Sequence, residues 1–455
     1  MSSFAPEKLA TWTGGTWTRI PEGPVTGFNQ DTRTLRAGQV FVALKTERRD
    51  GHDYLREAQA GGAVAALVSR AVPGAFMAQL VTADALAAFQ RIAREHRREF
   101  CGTVIGVTGS AGKTSTKDLL ARLLGGSPDV LATEGNLNNH LGVPLTLTRL
   151  TPAHRAAIIE AGVNAPGEMA GLAEMIEPDH SVVTLVAPAH LEKLISVEGV
   201  AAEKAQLPAA NRPGGLAVFP DSCWAHAPFR ALPNPLVLVP ADASSPAGAA
   251  RSLGFSVTQR SDRTELILAG QRRFPLRRVS AGMARNAALA LALASELGVA
   301  DDTLVARLAD WHPSAWRGEL RRHGAATVYC DFYNANPASM ADAIDAFNGA
   351  VDAALPRLYV LGSMEELGTG AAGYHRQLGH MIRLRPGDFL FALGSQAAAL
   401  RDGLLENGNP PAQIAVIAEV APVRERLAGF SGTVFLKGSR RYQLETVLAP
   451  HAHAH

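Results

Sequence analysis

Between Thr103 and Leu124 the chain runs through a short apolar stretch, Thr-Val-Ile-Gly-Val-Thr, and then Gly109-Ser110-Ala111-Gly112-Lys113-Thr114-Ser115. A segment with helical apolar spacing, Thr114–Leu124, follows. A buried strand, a glycine-rich turn and a helix in that order constrain the fold more than any other feature. Glycines let backbone N–H groups close around phosphate oxygens, and a helix N-terminus adds favourable polarity. Lys113 is placed to neutralise terminal phosphates and the Thr114 hydroxyl to ligate Mg²⁺. The general GxxxxGK[ST] pattern requires glycine six residues before the lysine, where this chain has Val107. The segment fits a narrower pattern, GxTGxxGKT. Its bland alternative is a strand–helix turn with an incidental lysine.

Further strand candidates are Ala157–Glu160, Ser181–Val186 and Leu216–Phe219, separated by helical stretches, which predicts a mostly parallel sheet covered by helices. Pro233–Ala250, rich in Pro, Ala and Ser, reads as a surface excursion, and Arg285–Leu297 as an Ala/Leu helix. Before the phosphate loop, apolar runs at Gln39–Leu44 and Ala63–Val68 alternate with helical patterns at Tyr54–Ala60 and Asp84–Phe100. After Ala309-Asp310-Trp311-His312-Pro313, a boundary marked by the proline, four short apolar strands recur at Leu358–Leu361, Phe389–Leu393, Ile414–Ile417 and Thr433–Leu436. The expected architecture is α/β in three domains. A small mixed N-terminal domain spans 1–100, a central P-loop mononucleotide-binding domain with a parallel sheet 101–312, and a Rossmann-like C-terminal domain 313–455. A length of 455 residues agrees with about three domains.

Composition narrows the partners. Net charge is +2, so no broad basic surface favours nucleic acid or acidic membranes. Three cysteines, Cys101, Cys223 and Cys330, form neither a disulfide framework nor a CxxC site. The N-terminus lacks a signal-peptide pattern, and the longest charge-free stretch, Gly135–Thr148, is too short to span a bilayer. A cytoplasmic, monomeric protein without membrane insertion is expected. The tail His451–His455 reads as a frayed terminus. Seven lysines stand against 37 arginines, so each lysine merits a question: Lys8, Lys45, Lys113, Lys117, Lys193, Lys204 and Lys437.

Taken in order, a series of blocks resembles the Mur ligase family over almost the whole chain. They are Asp31-Thr32-Arg33, Phe41-Val42-Ala43-Leu44, Asp50-Gly51-His52-Asp53, the phosphate loop, Gly135-Asn136-Leu137-Asn138-Asn139 and Gly142-Val143-Pro144. Then follow Glu160 to Glu168, Pro188-Ala189-His190-Leu191-Glu192, Tyr333-Asn334-Ala335-Asn336-Pro337-Ala338-Ser339-Met340, Glu366-Leu367-Gly368 and Lys437-Gly438-Ser439-Arg440. The YNANPxSM block resembles the branch that adds D-Ala-D-Ala to UDP-MurNAc-tripeptide. The resemblance implies an ATP-dependent amide ligase of peptidoglycan precursor synthesis that works through an acyl phosphate.

The same resemblance implies roles. Gly109 to Ser115 would cradle ATP, with Lys113 on the phosphates. Thr114, Glu160, His190 and Lys204 would hold Mg²⁺, two ions in all, and Lys204 would carry a carbamate that turns it into an anionic oxygen ligand. Asn286, Arg317 and Asp331 would contact the nucleotide, the last two brought in by closure of the C-terminal domain. Asn138, Asn139, Asn334, Asn336, Lys437, Ser439 and Arg440 would meet the substrates, and Asp31, Thr32 and Arg33 the UDP moiety. Pro337 fits the first position of a helix. Departures concentrate on the adenine side: where the family usually has Gly-x-His-Asn-x-x-Asn, Ser280 to Asn286 keeps only the final asparagine. Leu185, Gln206, Cys330, Phe332 and Ser363 also depart from the usual residues. Two alternatives stay open: another Mur or folylpolyglutamate-type ligase, and a non-catalytic nucleotide-binding homologue.

Overall fold

The structure is a computed structural model that describes residues 4–260 and 262–448. The histidine tail lies outside them. Three sheets, of five, nine and six strands, follow one another along the chain. The first takes the order 16–17, 78–81, 65–68, 39–42, 27–29 and is covered by the helices Leu55–Ala60 and Ala85–Glu99. Asp84 caps the longer helix, its carboxylate accepting the N–H groups of Leu86 and Ala87 at 2.8 and 3.0 Å. Such a cap satisfies donors that have no partner inside the helix.

The second sheet places the strand Thr103–Thr108 between Ala156–Glu160 and His180–Val183, all parallel. The chain passes to opposite sides of this strand, and a crevice therefore opens at the carboxyl ends of the three. One face is sealed by Leu119, Leu120 and Leu123 of the helix Lys113–Leu123 and by the Ala/Leu face of the helix Ala281–Glu296. On the other face Ile159, Leu172, Ile176 and Leu207 pack with Ala93 and Phe100 from the end of the N-terminal unit. Arg97 locks that junction. Its guanidinium is fully buried and donates to the carbonyl oxygens of Ile176 and Glu177 and to Asp179.

Two expectations need correction. Pro233–Ala250 is not wholly a surface excursion: Pro235–Pro240 is a strand paired in parallel with Ala217–Pro220 and Ser252–Gln259, and Leu236, Val237, Leu238 and Val239 are buried. Its prolines occupy the first and last strand positions, where a missing N–H costs little, and they mimic a loop in composition. Beyond it, Ser252–Gln259, Arg263–Leu268 and Arg272–Arg277 form an antiparallel meander at the sheet edge that the sequence pattern left unassigned.

The third sheet has two more strands than expected. Glu319–His323 and Ala326–Cys330 form a hairpin, and the latter runs parallel to Thr433–Lys437. Glu319–His323 is charged and largely exposed, so it carries no apolar signal. The four expected strands are present, with Thr433–Lys437 between Ala326–Cys330 and Arg357–Gly362. Among the described residues no helix is long and apolar enough to cross a membrane.

Candidate active site

The crevice of the second sheet and the carboxyl edge of the third face one another across a cavity of about 520 Å³. Its floor is the phosphate loop. Gly109 has φ +149°, and a Cβ there would stand 1.9 Å from Thr184 Oγ1. Gly112 has φ +80°, and a Cβ there would stand 2.1 Å from Asn286 Nδ2. Both positions therefore demand glycine, and Asn286 packs directly onto the loop. Ser110 anchors the turn by donating its N–H to Leu185 O and its hydroxyl to Ala187 O, both at 2.8 Å. Lys113 Nζ bends back to Gly109 O at 2.9 Å. Burial lowers the Lys113 pKa; the charge of Glu160 opposes that shift and Arg317 adds to it. Thr114 and Ser115 begin the helix, Thr114 lining the cavity.

Glu160 ends its strand almost fully buried. Asn138 Nδ2 donates to its Oε1 at 2.7 Å, and among the described residues the buried Oε2 has no hydrogen-bond partner. An ionised carboxylate oxygen in that state is costly unless a cation or donor meets it. Asn139 serves its own loop, its Oδ1 accepting the N–H groups of Leu141 and Gly142. His190 lies at the cavity edge in the left-handed region, φ +54°, and its Nδ1 pairs with the Glu366 carboxylate of the third sheet's unit. Glu366, φ +63°, also accepts the Glu192 N–H on its backbone oxygen at 3.2 Å. The His190 ring holds the Glu366 carboxyl below its usual range.

Lys204 stands on the helix Val197–Ala209, whose Ser196 cap accepts the Gly199 N–H. It is 1% exposed and does not line the cavity surface itself. Among the described residues its Nζ has no hydrogen-bond or ion-pair partner. Burial and the charge of Lys113 lower its pKa to about 7, so a large fraction of the side chain is a neutral amine near neutral pH.

The opposite wall comes from the third unit. Arg317 stacks over the Tyr333 ring at 4.2 Å and donates to Thr114 Oγ1 at 3.0 Å. Asn336 caps the helix Pro337–Ala350 in a reciprocal capping box with Ser339, and its Nδ2 donates to Ser110 O at 2.9 Å. Asp331 is paired with buried Lys437 at 3.1 Å; burial raises its pKa and Lys437 works against the rise. Lys437 also donates to the carbonyl oxygens of Asp331 and Asn334, each at 3.2 Å. Ser439 lies behind this wall, accepting the Glu365 N–H on its hydroxyl at 3.0 Å. Arg440 lines the cavity and pairs with Glu445 at 2.6 Å.

Most of the residues singled out in sequence thus converge on one cavity. Asp31, Thr32 and Arg33 do not line it: Asp31 pairs with Arg33, which holds its carboxyl below the usual range, and Thr32 donates to Glu57. Glu366 and Asp342 also reach the site and received no role from sequence. Glu366 was visible within a matching block, whereas Asp342 lies two residues beyond the YNANPxSM block, on the helix that the block opens. Among the described residues no three His, Cys, Asp or Glu side chains form a ready-made metal centre. Mg²⁺ needs no such cage, since it keeps several waters and shares substrate phosphates with one or two carboxylates.

This arrangement has counterparts. Residues 107–294 match the Mur ligase middle domain, and residues 316–440 match the Mur ligase, glutamate ligase domain. The UDP-N-acetylmuramoyl-tripeptide–D-alanyl-D-alanine ligase of Escherichia coli (strain K12) is 32% identical over 435 residues, covering 92% of this chain and 92% of that protein. The ligase of the same name from Synechocystis is 34% identical over 373 residues, 80% of this chain and 78% of that protein. Among solved structures, MurF from Acinetobacter baumannii superposes with a TM-score of 0.85 at 25% identity, covering 99% of this chain and 98% of that one. MurF ligase from Thermotoga maritima in complex with ADP gives 0.79 at 25% identity, covering 93% and 96%. With two family domains in sequence and relatives aligned over nearly its full length, the chain belongs to the Mur ligase family, in its MurF branch.

Proposed function

We propose that this chain joins D-Ala-D-Ala to UDP-MurNAc-tripeptide with ATP, and that the interdomain cavity is where it does so. The observation that carries the reading is the meeting of three parts at one point. These are a phosphate loop with Lys113, the buried oxygen of Glu160 that has no hydrogen-bond partner among the described residues, and Arg317 from the third unit bonded to Thr114. A free carboxylate is a poor electrophile. Transfer of the γ-phosphoryl group from ATP to a tripeptide carboxylate oxygen gives an acyl phosphate and ADP. The dipeptide amine then attacks the carbonyl carbon, the C–O bond to phosphate breaks, and the amine gives up a proton.

In this scheme Gly109 to Ser115 wrap the phosphates with backbone N–H groups, while Lys113 and Arg317 neutralise the transferring group. Asn138 fixes Glu160, and Asn286 braces Gly112 from the helix behind. Asn334, Asn336 and Arg440 face the reacting ends, and Lys437 holds Asp331 and the Asn334 backbone in place. Thr114, Glu160 and His190 are the residues that would hold Mg²⁺, joined by Lys204 once its amine has taken up CO₂ as a carbamate. A neutral, partnerless, buried amine suits that reaction, since only the free base attacks CO₂. Bound Mg²⁺ supplies charge neutralisation at phosphate oxygens. The cavity walls exclude water from the acyl phosphate.

Residues 1–100 serve as the UDP-binding unit, with Asp31, Thr32 and Arg33 near the UDP moiety. Residues 101–312 form the nucleotide unit and residues 313–455 the closing one. The chain acts as a cytoplasmic monomer in this reading. Phosphate release measured with ATP, Mg²⁺, tripeptide and dipeptide, each omitted in turn, tests it. Release coupled to amide formation and requiring all four is expected; release that ignores the dipeptide and yields no amide overturns the assignment.

A further inference from the structure

Of the carboxylates lining the cavity, Glu160, Asp331 and Asp342, only the last has no part in the proposed scheme. Asp342 lies on the helix Pro337–Ala350 of the third unit, and its Oδ1 accepts the backbone N–H of Gly282 at 2.7 Å. Gly282 stands in the first turn of Ala281–Glu296, a helix capped by Ser280. First-turn N–H groups lack partners inside a helix, and negative charge there is favourable. A Cβ at position 282 would stand 2.6 Å from Asp342 Oδ2, so the absent side chain is what admits the carboxylate. A cross-domain helix cap is the simplest account of the contact.

Three observations extend it. Asn286, which packs on Gly112 of the phosphate loop, lies four residues along the same helix. At 1.5 Å per residue, Gly282 is therefore ~6 Å beyond that contact toward the helix start. Asp342 lines the same cavity as Lys113, and among the described residues its Oδ2 accepts no hydrogen bond and neither oxygen has an ion-pair partner. A carboxylate accepts hydrogen bonds and donates none, and it repels phosphate, so it belongs to the nucleoside end of a bound nucleotide. Met283 and Ala338, which line the same cavity, are apolar and offer a surface for the faces of an aromatic ring.

We infer that Asp342 reads the exocyclic amino group of the purine base, supplying through the third unit the polar base contact that Gly282 and Met283 lack. The inference rests on the nucleotide reading of this cavity. It is tested in the full chain by the affinities of ATP and of purine riboside triphosphate, which lacks the amino group. Wild-type protein binds ATP more tightly by about tenfold, as expected for a charged hydrogen bond. Asp342→Asn keeps an oxygen for the Gly282 N–H but turns an NH₂ toward the base. It therefore retains the cap and its melting temperature while losing the discrimination. Asp342→Ala weakens ATP by about tenfold and leaves the amino-free analogue within about twofold. Discrimination surviving in Asp342→Asn, or equal losses for both nucleotides, overturns the inference. A wild-type chain that binds both nucleotides equally also overturns it; one that binds neither overturns the nucleotide reading itself.

Discussion

Lys204 and Lys437 are buried to the same degree, yet their surroundings are opposite. Lys437, at the end of a strand in the third unit, meets a carboxylate and two carbonyl oxygens. Lys204, on a helix of the middle unit, meets none among the described residues. The first is a closed ion pair that fixes Asp331 against the wall of the cavity. The second is an amine whose charge is penalised by burial and by Lys113, the state that the proposed carbamate chemistry needs. Burial alone therefore says little about a lysine; what lies around its nitrogen decides whether it holds structure or performs a reaction.

That contrast predicts opposite outcomes for one substitution. Lys204→Met should lower ligase turnover by about three orders of magnitude. Its folding stability should stay level or rise, because an apolar side chain replaces an unpaired buried amine. Short carboxylic acids added to Lys204→Ala should restore part of the activity. A Lys204→Met protein that keeps its turnover would remove the lysine from the reaction. Lys437→Met should instead destabilise the protein by about 2 kcal/mol in urea unfolding, since the half-buried Asp331 and the Asn334 carbonyl lose their buried donor. Adding Asp331→Asn should recover much of that loss, and additive losses in the double variant would break the pairing argument.

Glu366 sharpens the comparison across the domain boundary. Its carboxylate pairs with His190 Nδ1, so Nε2 is the ring nitrogen left for Mg²⁺ under the proposed function. Glu366→Gln should cost about 10- to 100-fold in kcat/KM, the range found when a partner orienting a metal-site histidine is lost. The melting temperature should hardly move. An equal loss with Glu366→Asp, which keeps the charge, would point to length rather than charge.

His375 offers the smallest effect. Its Nε2 accepts the Met364 N–H at 2.8 Å, its Nδ1 meets Ala371 O at 2.7 Å, and burial lowers its pKa. The unfolded chain takes up the proton near the ordinary value of about 6.5, while the folded chain resists it. The histidine's contribution is thus complete above that pH and declines as pH falls below it, by at most ~1.4 kcal/mol per pH unit. Urea unfolding from pH 7 to 5 should show that slope, and His375→Asn should flatten it.

Much of the phosphate-loop side was legible along the chain. Gly109, Gly112, Lys113 and Thr114 are neighbours in sequence, and an apolar strand followed by glycines and a helix allows few other folds. Glu160 and His190 could be placed because each ends or follows a strand of the same parallel sheet. The C-terminal wall was less readable. The charged strand Glu319–His323 has no apolar pattern, just as in the second sheet Pro235–Pro240 was masked by its prolines.

Local spacing, glycine demands and the order of motifs were enough to establish the family, the α/β class and a phosphate-binding centre. Contacts made across the interface depend on how two separate sheets meet, and no periodicity encodes them. Arg317 on Thr114, Glu366 on His190 and Asp342 on Gly282 are separated by 203, 176 and 60 residues respectively. The buried surroundings that deny Lys204 a counter-ion and the saturation of Lys437 are likewise properties of three-dimensional packing, because a lysine's charge responds to the groups that surround it and not to those that precede it.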